Sequence, residues 1–362
     1  MQENIHAVII GSGCHIPSVK IPNSFFLNHQ FYDSTGKPFD RSNDEIIRKF
    51  AQITGIKERR YAEEDHLASD LGFFAAKEAI KNAGIDPETI DQIIVAHNFG
   101  DVSAEKKYID QVPALSARIK WKLNIQNPNS VAYDLPFGCA GWVQGMIHAK
   151  NFIESGIAKR VLVVGTETIS RVTDPHDRDS MIFSDGAGAI ILEAVESEEP
   201  IGILEAKAQT MAVPFAHILR MGSSYNLADK SKPLNIKMEG RKLYEQVISH
   251  VPAIIKDCLD SAGIAIHDIS NFLFHQANEK MDEAILKRLF KLYDIEKAPL
   301  EKMPMTISFL GNSSVATLPT LYDMVKKEEL EGYGINPGDN IVFASVGAGI
   351  NLNAVVYKEP DN

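Results

Sequence analysis

Short, continuously apolar runs alternate with amphipathic stretches along this chain. Val8-Ile9-Ile10, Ile93-Ile94-Val95, Val161-Leu162-Val163-Val164, Phe272-Leu273-Phe274 and Ile341-Val342-Phe343 are apolar at every position. That is the pattern of strands covered on both faces. The segments between them carry apolar residues at helical spacing, so the chain is predicted to be α/β with central mixed sheets. The first run stops at Gly11 and reads as a strand that ends there, with Cys14 in a following Gly-Ser-Gly turn. Residues 99–112 and 221–240 are polar and rich in Gly, Ser and Lys, and read as loops or lids.

The pattern repeats. Residues 76–96 and 255–275 align at a shift of 179, with Ala83-Gly84-Ile85 meeting Ala262-Gly263-Ile264. In each copy an amphipathic helix ends in glycine, which supplies a left-handed cap, and an apolar strand follows. A second echo, at a shift of 161, sets Ser184-Asp185-Gly186-Ala187-Gly188 against Ser345-Val346-Gly347-Ala348-Gly349. Two related halves are expected, residues 1–200 and 201–362, packed about a pseudo-twofold.

Composition narrows the class. The 362 residues are 44% hydrophobic and 23% charged, with a net charge of -11 and no basic run, which argues against a nucleic-acid binder. No 18-residue apolar stretch is present to span a membrane. The three cysteines, Cys14, Cys139 and Cys258, show no CxxC spacing. They suggest neither a disulfide frame nor a zinc site, and a reducing cytoplasm is the simplest setting.

Cys139 stands out by position. It lies in Asp134-Leu135-Pro136-Phe137-Gly138-Cys139-Ala140-Gly141, between a predicted strand (Ser130 to Tyr133) and a helix that runs to Gly156. A helix start favours a thiolate and is expected to lower the cysteine pKa, and small neighbours let an acyl group approach. A buried structural cysteine in a tight turn is the alternative. Cys14 and Cys258 read as structural. His275 directly follows a buried strand, at the rim where α/β folds bind ligands, or is simply a hydrogen-bonded strand-end histidine. Asn312, in Leu310-Gly311-Asn312-Ser313-Ser314, opens a helix, where an N-cap is the plain explanation. Cys139 and Asn312 are separated by 173 residues, near the repeat shift, which places both at the join of the halves.

At these residues the sequence resembles the beta-ketoacyl-ACP synthase III family, from Ala7 to about Tyr357. The Cys-Ala-Gly motif matches Cys139 to Gly141, the His-Gln-Ala-Asn motif His275 to Asn278, and the Gly-Asn-(Thr/Ser)-Ser motif Gly311 to Ser314. Thr54 to Arg59, Asp174 to Arg178 and Asp185 to Ala189 are also shared. The resemblance implies a thiolase fold, two βαβαβαββ halves in an αβαβα layering. It implies that Cys139 takes an acyl group, that the Cys139 and Ala348 amides form an oxyanion hole, and that His275 and Asn312 serve decarboxylative condensation with a malonyl-type thioester. It further implies no metal or redox cofactor, a homodimer, and an acidic acyl carrier protein as partner. That partner is met at Lys280, with Lys287 and Arg288 extending the patch or forming a solvated face.

The departures concern the primer. The family's tryptophan that stacks on coenzyme A aligns with Lys49, and a nearby arginine with Ile53, whereas the opposite partner, Arg178, remains. The segment from Asn98 to Val112 is long, Phe31 to Phe39 is an insert, and Val346 replaces a phenylalanine. A primer other than acetyl, longer or aryl and carrier-borne, is expected, as in relatives that make dialkylresorcinols or polyketides from 3-oxoacyl and enoyl thioesters. Competing readings are acyl transfer without decarboxylation and a non-catalytic partner subunit. A 3-hydroxy-3-methylglutaryl synthase would need a glutamate that no residue clearly provides.

Overall fold

The computed structural model describes residues 4–105, 108–229 and 234–361. In chain order the first half runs β1 (Ile5–His15), α1 (Ala68–Ala83), β2 (Gln92–Ala96), α2 (Leu115–Lys122), β3 (Val131–Leu135), α3 (Gly141–Glu154), β4 (Arg160–Glu167) and β5 (Gly186–Glu196). The second runs β6 (Gly202–Thr210), α4 (Gly240–Ala262), β7 (Ile269–Phe274), α5 (Glu279–Lys291), α6 (Thr317–Lys326), β8 (Asn340–Gly347) and β9 (Asn351–Lys358).

The strands form two sheets, ordered β1-β5-β4-β2-β3 and β6-β9-β8-β7. Four strands correspond one to one, with the same directions. The β2–β4 and β7–β8 pairs are parallel, while β4–β5, β8–β9, β1–β5 and β6–β9 are antiparallel. Ile93 and Phe272, 179 residues apart, hold equivalent places on β2 and β7: Ile93 pairs with Leu162 in one sheet, and Phe272 with Val342, 180 residues after Leu162, in the other. Gly84 and Gly263 cap α1 and α4 at φ 64° and 68°. The second echo is not a structural equivalence. Gly186 opens β5, whereas Gly347 closes β8, one strand earlier in the repeat. Among the described residues β3 has no counterpart strand in the second half.

The strands are apolar at every position because both faces of each sheet are covered. Ile93, Val95, Leu162 and Val164 pack under α1 and α2, while Ile94, Val161 and Val163 face α3. In the second sheet Phe272 and Val342 pack under α4 and α5, while Leu273 and Phe343 face inward. Helices α3 and α6 lie between the sheets, giving the αβαβα layering, with Trp142 and Tyr322 packed against Phe343. Each large apolar side chain buried there contributes about 2 kcal/mol.

Cys14 lies inside β1, not in a turn after it. The strand continues through Gly11 and Gly13 because α1 crosses there. A Cβ on either glycine would sit within 2.6 Å of the Ala79 or Ala75 backbone, so glycine here marks close packing. Cys258 lies within α4, buried, its thiol donating to the Ala354 carbonyl at 3.5 Å. The stretch 221–240, expected as a loop or lid, takes part in an antiparallel pair of strands, Leu219–Ser223 and Leu234–Met238, pinned by buried Lys237 on Asp174 at 2.5 Å and Asp177 at 3.1 Å. Residues 99–112 contain two-residue strands, Asp101–Val102 and Ile109–Asp110, with Asp101 paired to Arg118 at 2.7 Å.

Candidate active site

Chain geometry delivers Cys139 to the join of the halves. After β3 the chain turns at Gly138, φ +68°, passes through one 3-10 turn containing Cys139, and enters α3 at Gly141. The β8–β9 turn of the other half lies directly against it. A Cβ on Gly347 would lie 2.8 Å from the Cys139 amide nitrogen, and a Cβ on Gly138 would lie 2.8 Å from that of Ala348. Ser345 Oγ donates to the Cys139 carbonyl at 3.1 Å. The Cys139 and Ala348 amides are thereby brought into the same small region.

His275 follows β7, its amide donating to the Ala344 carbonyl at 2.9 Å, and its Nδ1 is buried with no partner among the described residues. Asn312 is clamped by backbone bonds: its amide donates to the Ile182 carbonyl, and its carbonyl accepts from Ser184. Its side chain is not a helix N-cap. Oδ1 accepts from the amide of Ser314 at 2.7 Å, closing a tight turn before α6. Gly165 in β4 lets that turn descend onto the first sheet, since a Cβ there would lie 2.5 Å from the Val315 carbonyl.

Ser314 sits among the three. Its Oγ lies 3.0 Å from Cys139 Sγ, its amide is held by Asn312, and its backbone favours the protonated form of His275 electrostatically. Beyond Ser314, Asn98 Nδ2 donates to Ser314 Oγ at 2.9 Å and to Glu167 Oε2 at 2.5 Å. Gln276, next to His275, ties down the segment leading to Asn312, accepting from the Thr306 and Ile307 amides and donating to the Pro304 carbonyl. Ser314, Gln276, Asn98 and Glu167 had no assigned role in the sequence. Ser314 and Gln276 lie within the motifs that drew attention to their neighbours, and that was the available signal.

Electrostatics differ from the expectation at Cys139. Burial pushes the thiol up to about 11. The Ser314 hydrogen bond opposes this and the Glu167 carboxylate adds to it. Cys139 precedes α3 by two residues, and its removal from water outweighs the helix start. Burial also pushes Glu167 up to about 7 and His275 down to about 4, so His275 is a neutral imidazole at physiological pH.

The peripheral residues are placed as follows. Lys280 is exposed near the start of α5; Lys287 is paired with Glu283 at 2.8 Å, and Arg288 donates to the Ile248 carbonyl. Exposed Arg178 lies 5.3 Å from the ring centroid of Phe39, so this chain supplies its own ring there, whereas Lys49 pairs with Glu45 on an exposed helix face. One group has the composition of a metal site: His15, Glu63 and His66 place ligand atoms within 4.8 Å of one another. Its carboxylate is already engaged by Ser18 at 2.6 Å and His66 at 3.1 Å. Among the described residues no helix is long and apolar enough to cross a membrane.

Comparisons with known proteins agree along the whole chain. The profiles of 3-oxoacyl-[acyl-carrier-protein] synthase III and of its C-terminal part match residues 133–212 and 259–358. The chain is similar to the beta-ketoacyl-[acyl-carrier-protein] synthase III of Staphylococcus haemolyticus, 33% identical over 97% of this chain and 98% of that one. It superimposes on the solved 3-oxoacyl-(acyl carrier protein) synthase III of Pseudomonas aeruginosa with a TM-score of 0.80 and 25% identity, covering 98% of both chains. The priming beta-ketosynthase of a polyketide biosynthetic pathway matches equally well, TM-score 0.80 and 25% identity over 99% of this chain and 97% of that one.

Proposed function

Because the chain belongs to the beta-ketoacyl-ACP synthase III family of acyl-transferring condensing enzymes, we propose that Cys139 carries the primer acyl group and that His275 and Asn312 serve the condensation. The Cys139 thiolate attacks the primer thioester carbonyl, the Cys139 and Ala348 amides stabilise the oxyanion, and the carrier thiol leaves. A malonyl-type thioester on acyl carrier protein then binds. His275 and Asn312 donate hydrogen bonds to its thioester carbonyl while carbon dioxide departs, leaving an enolate. The enolate carbon attacks the acyl-Cys139 carbonyl, the C–S bond breaks, and a 3-oxoacyl thioester forms with the thiolate restored. The observation that carries this reading is that Cys139 and Asn312 meet at Ser314, with His275 near enough to feel the backbone of Ser314. The neutral state of His275 is compatible with it, because a neutral imidazole keeps one N–H to donate.

The primer is proposed to differ from acetyl and to arrive on carrier protein, with exposed Lys280 as a contact. Two observations support this: Phe39 covers the face of Arg178, and an exposed, ion-paired Lys49 stands where the family has its stacking ring. Intact-mass measurement of the enzyme with matched acyl-CoA and acyl-carrier-protein panels tests it. Faster acylation from carrier-borne chains longer than acetyl is expected, and preferential acetylation from acetyl-CoA would reject it.

A further inference from the structure

Cys139 is the last member of a buried hydrogen-bond chain whose direction can be worked out. Glu167, at the end of β4, is fully buried. Its Oε2 accepts from the Asn98 amide at 2.8 Å and from Asn98 Nδ2 at 2.5 Å. Because Oε2 already accepts from the Asn98 backbone amide, it is the acceptor atom of Glu167, and the Asn98 side chain presents its NH2 group to it. The second hydrogen of that NH2 group is then directed to Ser314 Oγ at 2.9 Å. Ser314 Oγ therefore acts as an acceptor on that side. Its single hydrogen is left for Cys139 Sγ, 3.0 Å away.

The hydroxyl is also fixed in space. Ser314 is a non-glycine residue at φ +55°, a sparsely populated backbone conformation, held there as Asn312 Oδ1 accepts from its amide. Strain of this kind persists only where the surroundings over-determine it, and it sets the hydroxyl over the sulfur.

We propose that Glu167, Asn98 and Ser314 form a polarised relay that aims the Ser314 hydroxyl at the Cys139 sulfur and stabilises its thiolate. This rests on Cys139 being the nucleophile. Ser314 touches the reacting atom, while Asn98 and Glu167 are positioning residues. The relay acts twice in one turnover. It favours the thiolate that attacks the primer, and it receives the thiolate released when the enolate carbon displaces it. In between, the sulfur is an uncharged thioester and the hydrogen bond weakens. Glu167 has two opposed effects: its acceptor atom orients Asn98, whereas its charge disfavours a second anion at Cys139.

The test is the rate of Cys139 alkylation by iodoacetamide from pH 6 to 10, followed by peptide mass. Ser314→Gly removes the hydroxyl and suits the positive φ, so the fold is preserved. The rate at neutral pH is expected to fall about tenfold, the loss of one charge-assisted hydrogen bond, with the midpoint moved to higher pH. Asn98→Ala should move the midpoint the same way by less. Glu167→Gln keeps an acceptor, removes the charge, and should move it to lower pH. A purely structural role would not produce shifts in opposite directions. Wild-type titration curves for both Ser314→Gly and Asn98→Ala would overturn the relay. Failure of the nucleophile assignment is read separately, as absence of any acyl adduct on Cys139 of the wild-type enzyme.

Discussion

Gln276 ties the segment carrying His275 to the one carrying Asn312: its side-chain oxygen accepts from the Thr306 amide at 2.8 Å, deep inside the protein. The same oxygen accepts from the Ile307 amide at 3.0 Å. Gln276→Ala should leave these buried amides unpaired and cost about 2–4 kcal/mol in urea unfolding. Condensation should fall more than acylation of Cys139, because the displaced segment leads to Asn312. Equal losses in the two half-reactions would mean that Gln276 holds the fold and not the site.

His275→Ala and Asn312→Ala are expected to separate the half-reactions. Each should still form acyl-Cys139, while 3-oxoacyl product falls by roughly a hundredfold or more, the cost of one oxyanion-type donor. Radiolabelled malonyl carrier protein measures carbon dioxide release directly. Full activity in both variants would exclude decarboxylative condensation at this site.

The depressed His275 has a stability consequence. Its folded value is about 4, and the unfolded chain keeps about 6.5. Between these values the unfolded state binds more protons, so stability rises with pH across the window and is lost as pH falls through it. The contribution is on the order of 3 kcal/mol. Urea melts of wild type and His275→Gln from pH 4.5 to 7.5 should show the variant losing less stability on acidification. Parallel curves would refute it.

Lys237 fixes the paired strands Leu219–Ser223 and Leu234–Met238 from inside, 3% exposed, against Asp174 and Asp177 with the Tyr225 ring centroid 3.4 Å away. Lys237→Met should cost about 3–5 kcal/mol by leaving buried carboxylates uncompensated. Adding Asp174→Asn should recover part of that loss in thermal melts. An additive double variant would show that the pair is uncoupled.

Phe39→Ala should expose the face of Arg178 and lower KM for acyl-CoA donors about two- to fivefold, the scale of one cation–π contact. Carrier-borne primers should be unaffected. Steady-state KM values for the two donor classes decide it.

Much of this was legible in the sequence because local rules carried it. The all-apolar runs marked strands buried on both faces, and the 179-residue shift set β2 onto β7, Ile93 onto Phe272. Cys139, His275 and Asn312 sit at element ends, where side chains are free to serve a site. What was not legible depends on distant packing. β1 runs through Gly11 and Gly13 only because α1 crosses it there. The paired strands Leu219–Ser223 and Leu234–Met238 are held by Lys237 reaching across to Asp174. The raised Cys139 thiol results from burial beside Glu167, and Asn98 gains its role only when it meets Ser314, 216 residues later.

The most direct test of Cys139 as acyl carrier is intact-mass analysis of wild type and Cys139→Ala after exposure to the acyl-thioester panel, then to malonyl carrier protein. Wild type is predicted to gain one acyl mass, located on Cys139, and to lose it again as 3-oxoacyl product appears, while Cys139→Ala gains none. An acyl adduct retained by Cys139→Ala, or 3-oxoacyl product formed by that variant at the wild-type rate, would contradict the account.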